Sequence, residues 1–266
     1  MQFGFVVPWG DARDIAEMAA VAEECGWDGV YVWESIYGVD AWVSLAAAAM
    51  TTTQIRLGTL LTPLSRRKPW EIAGQVATAD RLSGGRITLS VGLGAPDTGF
   101  ADFGEETDRR VRAELLDESL EIIRRLWTGL PVEYCGKHYT LTPSSFPAIG
   151  HVNQKPHPPI WCIGALASAK SMARALKCNG LIPQVVDDGT ARQATLSELI
   201  AAMPAIRKIV GKQPFDIVVE GSTQEHSPAA WADAGATWWI ESLWDAWPDP
   251  VAAAIGRLRE GPPPLA

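Results

Sequence analysis

The sequence predicts an α/β chain folded as a (β/α)8 TIM barrel, a single domain over residues 1–266. Three observations predict it. Short β-like runs alternate with helical runs along the whole chain. Eight of these runs fit strands. No linker rich in Pro, Gly or Ser divides the 266 residues, a length that suits one large barrel. A doubly wound open sheet uses the same alternation and is the competing architecture.

The elements follow in order. "FGFVVP" (3–8) reads as the first strand. Its helix starts at Asp11, a capping residue, puts Ile15, Met18, Ala19 and Ala22 on one face, and stops at Gly26. "DGVYVWES" (28–35) and "DAWVSLAAAAM" (40–50) repeat the pattern, as do "IRLGTLLTP" (55–63) and a helix from Pro69 to about Leu82, with proline in the favoured first turn. "ITLSVGLG" (87–94) is strand four. A long helix over Asp108–Trp127 carries the stripe Leu116, Leu120, Ile123 and Trp127 and ends at Gly129. A small hairpin, "VEYCGKHYTL", and a proline-rich loop (142–159) come next. That loop joins a helix to a strand, so it belongs to the end of the barrel away from catalysis, and His138, His151 and His157 read as structural. "PIWCIGA" (159–165), "GLIPQ" (180–184), "FDIVVEG" (215–221) and "TWWIES" (237–242) supply the last four strands. Helices are expected over 168–180, about 190–210 and about 250–260.

Composition narrows the function. Hydrophobic residues make up 47% of the chain and charged ones 20%, a globular balance. A net charge of −8 argues against nucleic acid as the main partner. No apolar run approaches the roughly 18 residues that span a bilayer, and "MQFGFVVPWG" has no basic region before an apolar core, so a cytoplasmic location is expected. The four cysteines form no CxxC pair and the four histidines no HExxH, so neither a metal nor a disulfide is expected. Twelve tryptophans suggest aromatic-lined pockets or interfaces as well as core packing.

The stretch "RLSGGRITLSVGLGAP" (81–96) is the densest in glycine. Gly92 and Gly94 fit the first two positions of GxGxxG, but Asp97 takes the third and no helix follows at once, so it is not a dinucleotide fingerprint. It is neither a P-loop nor a nucleophile elbow. Alternation says more: Ile87, Leu89, Val91 and Leu93 point one way, and Thr88, Ser90, Gly92 and Gly94 the other. The small residues would face the barrel axis and leave room at the mouth for a flat ring, or merely fit a crowded interior.

"TLLTPLSRRKPWEIAGQVATADRLSGGRITLSVGLG" (59–94) resembles the signature of the bacterial-luciferase-like flavin oxidoreductases: a strand ending in TP, an Arg-Arg-x-Pro helix start, Asp-Arg-Leu-Ser-x-Gly-Arg, then a strand ending in GxG. The likeness continues through "FGEETDRRVRAELLDESLEIIRRLW", "GKHYTL", "PIWCIGALASAKSMARALKCNGLIPQ" and "AGATWWIES". It implies a barrel that binds FMN or the deazaflavin F420 at the strand C-terminal ends, for hydride transfer or monooxygenation of a small-molecule substrate. Relatives of this kind often pair, which makes a homodimer an expectation.

The resemblance also implies sites. The turn after strand five offers Gly164, Ala165 and Ser168 to the cofactor phosphate, with Gly180 and Leu181 bordering it. Leu61 and Thr62 fall where relatives carry a backbone bulge behind the ring, some with a cis peptide, and Gly92 and Gly94 lie beside them. Three strands end in glutamate, Glu34, Glu220 and Glu241, and strand ends of a barrel carry catalysis. Many relatives have Asp-His where this chain has Glu34-Ser35, so Glu34 is the replacement acid or base if burial against Trp9 and Trp33 raises its pKa. Phe100 and Phe103 could close over substrate, and Arg66, Arg67 and Lys68 could meet an acidic F420 tail, a slight lean toward F420. Two other functions stay open at this point: a glycoside hydrolase with paired carboxylates, and a flavin-binding protein without catalysis.

Overall fold

The computed structural model describes residues 1–144, 151–187, 190–221 and 227–265. The first strand, β1 (Gln2–Val7), leads to α1 (Ala12–Glu24), β2 (Gly29–Val32), α2 (Ala41–Thr51) and β3 (Arg56–Thr59). A two-residue strand, β4 (Thr62–Pro63), precedes α3 (Pro69–Leu82), β5 (Ile87–Gly92) and α4 (Arg109–Leu126). The hairpin of β6 (Tyr134–Cys135) and β7 (Thr140–Leu141) is followed by β8 (Ile160–Ala165), α5 (Ala169–Ala175), β9 (Gly180–Asp187) and β10 (Thr190–Gln193). The chain finishes with α6 (Leu196–Val210), β11 (Asp216–Glu220), α7 (Pro228–Ala234), β12 (Trp238–Ser242) and α8 (Pro250–Arg259).

Parallel pairing runs β1-β2-β3-β5-β8-β9-β11-β12, and β12 returns to β1. That closure makes the barrel and excludes the open sheet. The amphipathic readings hold. Asp11 caps α1 and its buried face includes Ile15, Met18, Ala19 and Ala22, while Leu116, Leu120 and Ile123 bury α4.

Two parts differ from expectation. Strand β9 runs to Asp187 instead of stopping at Gln184, and β10 folds back on it antiparallel, so residues 190–193 are strand and α6 begins only at Leu196. The seven-residue α7, too short to show a period, lies between β11 and β12. Residues 145–150 of the proline-rich loop, and His226, lie outside the described residues.

The barrel interior is filled by aromatics. Tyr31, Trp161 and Trp238 are buried together, with ring centroids 5.2 Å apart for Tyr31–Trp161 and Trp161–Trp238. Trp161 Nε1 donates to Asp216 at 2.9 Å. Glycine makes the room: a Cβ on Gly58 would stand 2.3 Å from the Thr88 carbonyl, and one on Gly4 or Gly29 would stand 2.9 Å from the Tyr31 ring. Outside the barrel, Ile87, Leu89 and Val91 of β5 join the shell packed on the helices, as the alternation predicts.

The Asp-Arg-Leu-Ser-x-Gly-Arg segment builds the far end of the barrel, not the mouth. Buried Asp80 accepts from the Asn153 and Gln154 amides at 2.6 and 3.0 Å and so pins the returning loop. Arg86 donates to the Ala49, Thr52, Ile55 and Ser83 carbonyls and to the Thr52 hydroxyl, which ties the ends of α2 and α3 to the start of β3. No helix among the described residues is long and apolar enough to cross a membrane.

Arg86→Met keeps the side chain's length but leaves those carbonyls without their charged donor. Loss of such a network should cost roughly 3 kcal/mol. A urea melt should show the midpoint fall with the m-value unchanged, and an unaltered midpoint would mean that water serves these carbonyls equally well.

Candidate active site

A cavity of about 780 Å³ opens at the C-terminal mouth of the barrel. Its floor is made where β3 breaks. The Leu60–Leu61 peptide is cis, one bond before the Leu61–Thr62 peptide. Pairing with β5 lapses there and resumes at Thr62 opposite Val91. Leu60, Leu61 and Pro63 therefore meet Gly92 and Gly94 on one wall of the cavity. The space over Gly92 is confined, since a Cβ there would lie 2.9 Å from both Ile163 and Leu61. Gly94 adopts φ +76°, and a Cβ on it would stand 2.6 Å from Phe100.

Glu34 lies two residues beyond β2, lines the cavity, and keeps only 5% of its side chain exposed. The Thr62 hydroxyl donates to it at 2.7 Å, and the Thr59 hydroxyl stands 3.0 Å from that of Thr62. Arg66 Nη2 and Arg67 Nη1 each approach its carboxylate at 3.4 Å. Burial pushes the Glu34 carboxyl above the usual range, against the pull of Arg67, the Thr62 hydroxyl and Arg66. Arg66 also donates to the Ser35 carbonyl at 3.1 Å and lies 5.4 Å over the Phe100 ring. The two arginines expected to meet a cofactor tail thus serve Glu34 instead. Lys68, the third of that basic run, lies 6.0 Å from the Trp70 ring.

The three strand-end glutamates do not converge. Glu220 accepts from Trp244 Nε1 at 2.8 Å and from Gln193 at 3.0 Å, so Trp244 stands between it and the cavity. Glu241 is turned outward, because Trp238 and Ile240 take the axis-facing positions of β12. It pairs with Arg257 of α8 at 2.7 Å, and Arg257 lies 5.0 Å over Trp27. A carboxylate pair facing a common substrate, as a glycosidase needs, is not assembled by these residues.

The cavity also carries basic side chains. Arg109 and Arg112 enter from the first turn of α4, and Ser171 and Arg174 from α5. Arg112 donates to the Leu93 and Gly94 carbonyls at 2.9 and 3.2 Å, lies 5.7 Å over Phe100, and has a buried Nε with no partner among the described residues. Arg174 is held by Asp117 at 2.9 Å. Sequence reading placed the helix start that holds Ser171 at the phosphate but missed the three arginines, although a signal was there. "RRVR" puts cations on the N-terminal turn of an 18-residue helix, where the macrodipole favours acids.

The turn after β8 is arranged differently from expectation. Ala165 lines the cavity, but its amide donates to Ser171 Oγ at 3.0 Å. Ser168 caps α5 by accepting from the Ser171 amide at 3.3 Å and does not line the cavity. Gly164 faces α5, where a Cβ would meet Leu181 at 2.3 Å. Gly180 and Leu181 open β9 at the far end of the barrel, Gly180 against Trp161 and Asp216. Because β9 is long, Gln184 and Val186 reach the cavity in their place. Phe100 is buried in the cavity wall, whereas Phe103 is exposed and stacks on Tyr37 at 6.1 Å. No metal-binding group of His, Cys, Asp or Glu occurs among the described residues.

Comparison with known proteins agrees with this architecture. A family model described as luciferase-like monooxygenase matches residues 1–254. An uncharacterized protein of Mycobacterium tuberculosis is 30% identical over 224 residues, 83% of this chain and 75% of that protein. The F420-dependent glucose-6-phosphate dehydrogenase of Amycolatopsis mediterranei is 31% identical over 210 residues, 70% of this chain and 62% of the enzyme. Among solved structures, an F420-dependent secondary alcohol dehydrogenase superposes with a TM-score of 0.77 at 18% identity, covering 100% of this chain and 99% of that one. The F420-dependent tetrahydromethanopterin reductase of Methanopyrus kandleri does so at 0.75 and 18%, covering 98% of both chains.

The raised pKa of Glu34 has a stability consequence of definite sign. Folded Glu34 keeps its proton at a pH where the unfolded chain, titrating near 4.5, has lost it. The native state then binds more protons, so stability falls as pH rises from 4.5 through the elevated folded value. Glu34→Gln should flatten that part of the stability–pH curve in denaturant melts, and parallel curves for the two proteins would show that no such shift exists.

Proposed function

This chain belongs to the luciferase-like monooxygenase family, and within it we propose an oxidoreductase that uses F420 or FMN, with a lean to F420, on a small organic substrate. The observation that carries this reading is the make-up of the mouth cavity, which joins one buried acid beside the kinked strand to an arginine cluster carried by α4 and α5. Both cofactors join a flat ring to a phosphate-bearing chain, and the residues present suit both parts. Gly92 lets Leu61 and Ile163 close together in the wall, where a Cβ would press on both at 2.9 Å. Arg112 offers a buried Nε with no partner among the described residues, and Arg109, Ser171 and Arg174 line the same cavity. These residues would hold the phosphate-bearing chain, and Leu61, Gly92 and Gly94 the ring. The lean to F420 follows the relatives, several of which are named as F420-dependent enzymes.

Bound there, the cofactor supplies hydride chemistry. The protein supplies the proton. Glu34, its affinity for a proton raised by burial, exchanges one with the polar group of the substrate. Thr62 fixes the orientation of the carboxyl, and Arg66 and Arg67 stop burial from making it permanently neutral. Residues 1–266 act as one barrel domain in this reading.

Titration of the purified protein with F420 and with FMN, at low and high salt, tests the assignment. F420 should bind more tightly and lose part of its advantage in salt. Arg112→Ala should weaken binding at least about tenfold, or roughly 1.4 kcal/mol. Glu34→Gln should bind as the wild type does, yet turn over roughly 100-fold more slowly. Tight FMN binding that F420 cannot displace would move the protein to FMN chemistry, and indifference to both would end the reading.

A further inference from the structure

Beside the main cavity lies a second, smaller cleft of about 310 Å³, formed by the loops after β1 and β2. The two share Trp33 and Thr98. They differ in chemistry. The main cavity holds Glu34 and the arginines, whereas among the described residues no charged side chain lines the cleft. Its walls are Val7, Ile15, Val32 and Ile36, with Trp9 and Trp33. The Ser35 and Thr98 hydroxyls are spent on the Tyr37 and Ala95 carbonyls, at 3.0 and 2.6 Å.

The partition is held in place. Trp33 meets Trp9 and Trp244 edge-on, with centroids at 6.1 and 5.9 Å. Trp9 Nε1 donates to the Trp244 carbonyl at 3.2 Å, and Trp244 Nε1 to Glu220 at 2.8 Å. Glu220 thereby orients the tryptophan wall, a structural role. The residue after Trp33 is Glu34, whose carboxyl faces the main cavity.

We infer that the cleft is the subsite for an uncharged aryl or branched-alkyl group of the substrate, whose polar, reacting end passes Trp33 to reach Glu34. The inference rests on the oxidoreductase reading for the word substrate. An anionic chain, whether cofactor tail or sugar phosphate, finds no countercharge in the cleft and would lose its hydration there. An apolar group of suitable size gains by burial. The substrate class is therefore neutral and amphipathic.

N-phenyl-1-naphthylamine, a neutral apolar fluorophore, tests this on the cofactor-free protein. Its emission should rise and shift to the blue on binding. Ile36→Asp, which places a charge in the cleft, and Ile36→Trp, which fills it without adding charge, should each weaken binding at least about tenfold, a change of roughly 1.4 kcal/mol. Ala191→Trp, in the wall of the main cavity only, should leave binding unchanged. Circular dichroism checks that each variant folds, and the Trp variant carries the test if the Asp variant does not. No emission change with the wild type, wild-type binding by both Ile36 variants, or loss on Ala191→Trp would each overturn the assignment. Cofactor titration is read separately. Fluorophore binding without cofactor binding would sink the oxidoreductase reading and leave the apolar cleft standing, while the reverse would sink the cleft alone.

Discussion

The burial of one carboxyl group organises this mouth. Glu34 lies beyond the end of β2 with almost no contact with solvent. A buried acid requires partners, because the cost of desolvating it exceeds what any single contact returns. Three neighbouring features meet that need. The break in β3 brings Thr62 under the carboxyl. The turn into α3 places Arg66 and Arg67 against it. Phe100, from the loop after β5, covers Arg66 on its other side. The strand break, the Arg-Arg helix start and the folded loop are thus one assembly around one side chain. Two arginines at 3.4 Å instead of close bidentate contact leave the balance with burial, and the carboxyl keeps an appetite for a proton.

The two ends of the barrel divide the labour. Asp80 and Arg86 fasten loops at the end away from the cavity, so the most recognisable sequence segment is structural. The aromatic plug of Tyr31, Trp161 and Trp238 closes the interior between the ends. Everything able to do the proposed chemistry lies above that plug. There Glu34 comes from the β2 side and Asp97 from the loop after β5, while Arg109, Arg112 and Arg174 come from α4 and α5.

Most of the barrel is legible in the sequence, because its strands are apolar runs and its helices carry clear stripes and caps. The departures have physical reasons. The length of β9 and the returning β10 are hidden when "VVDDGTARQ" is read as a helix start, although Asp-Gly between two β-like runs is a hairpin signal. Glu241 is misplaced when strand-end position is weighed without parity: Trp238 and Ile240 face the axis, so the residue after Ile240 must face out. Parity cannot judge Glu34, which lies beyond the strand's last residue. Gly164 and Ser168 look like an anion turn, but one packs on α5 and the other is consumed as a cap. That arginines of α4 and α5 meet in one cavity needs three-dimensional information, since the two helices are brought side by side by the pairing of β5 with β8.

The central claim, that burial outweighs the two arginines at Glu34, is open to direct observation. Infrared difference spectra between the wild type and Glu34→Gln, recorded across a pH titration, isolate the carbonyl band of the protonated carboxyl. The band should persist above pH 4.5, the ordinary value for glutamate, and vanish only at higher pH. A band that disappears at or below 4.5 would mean that Arg66 and Arg67 hold Glu34 as a plain carboxylate, and the proton-exchange role would pass to another group.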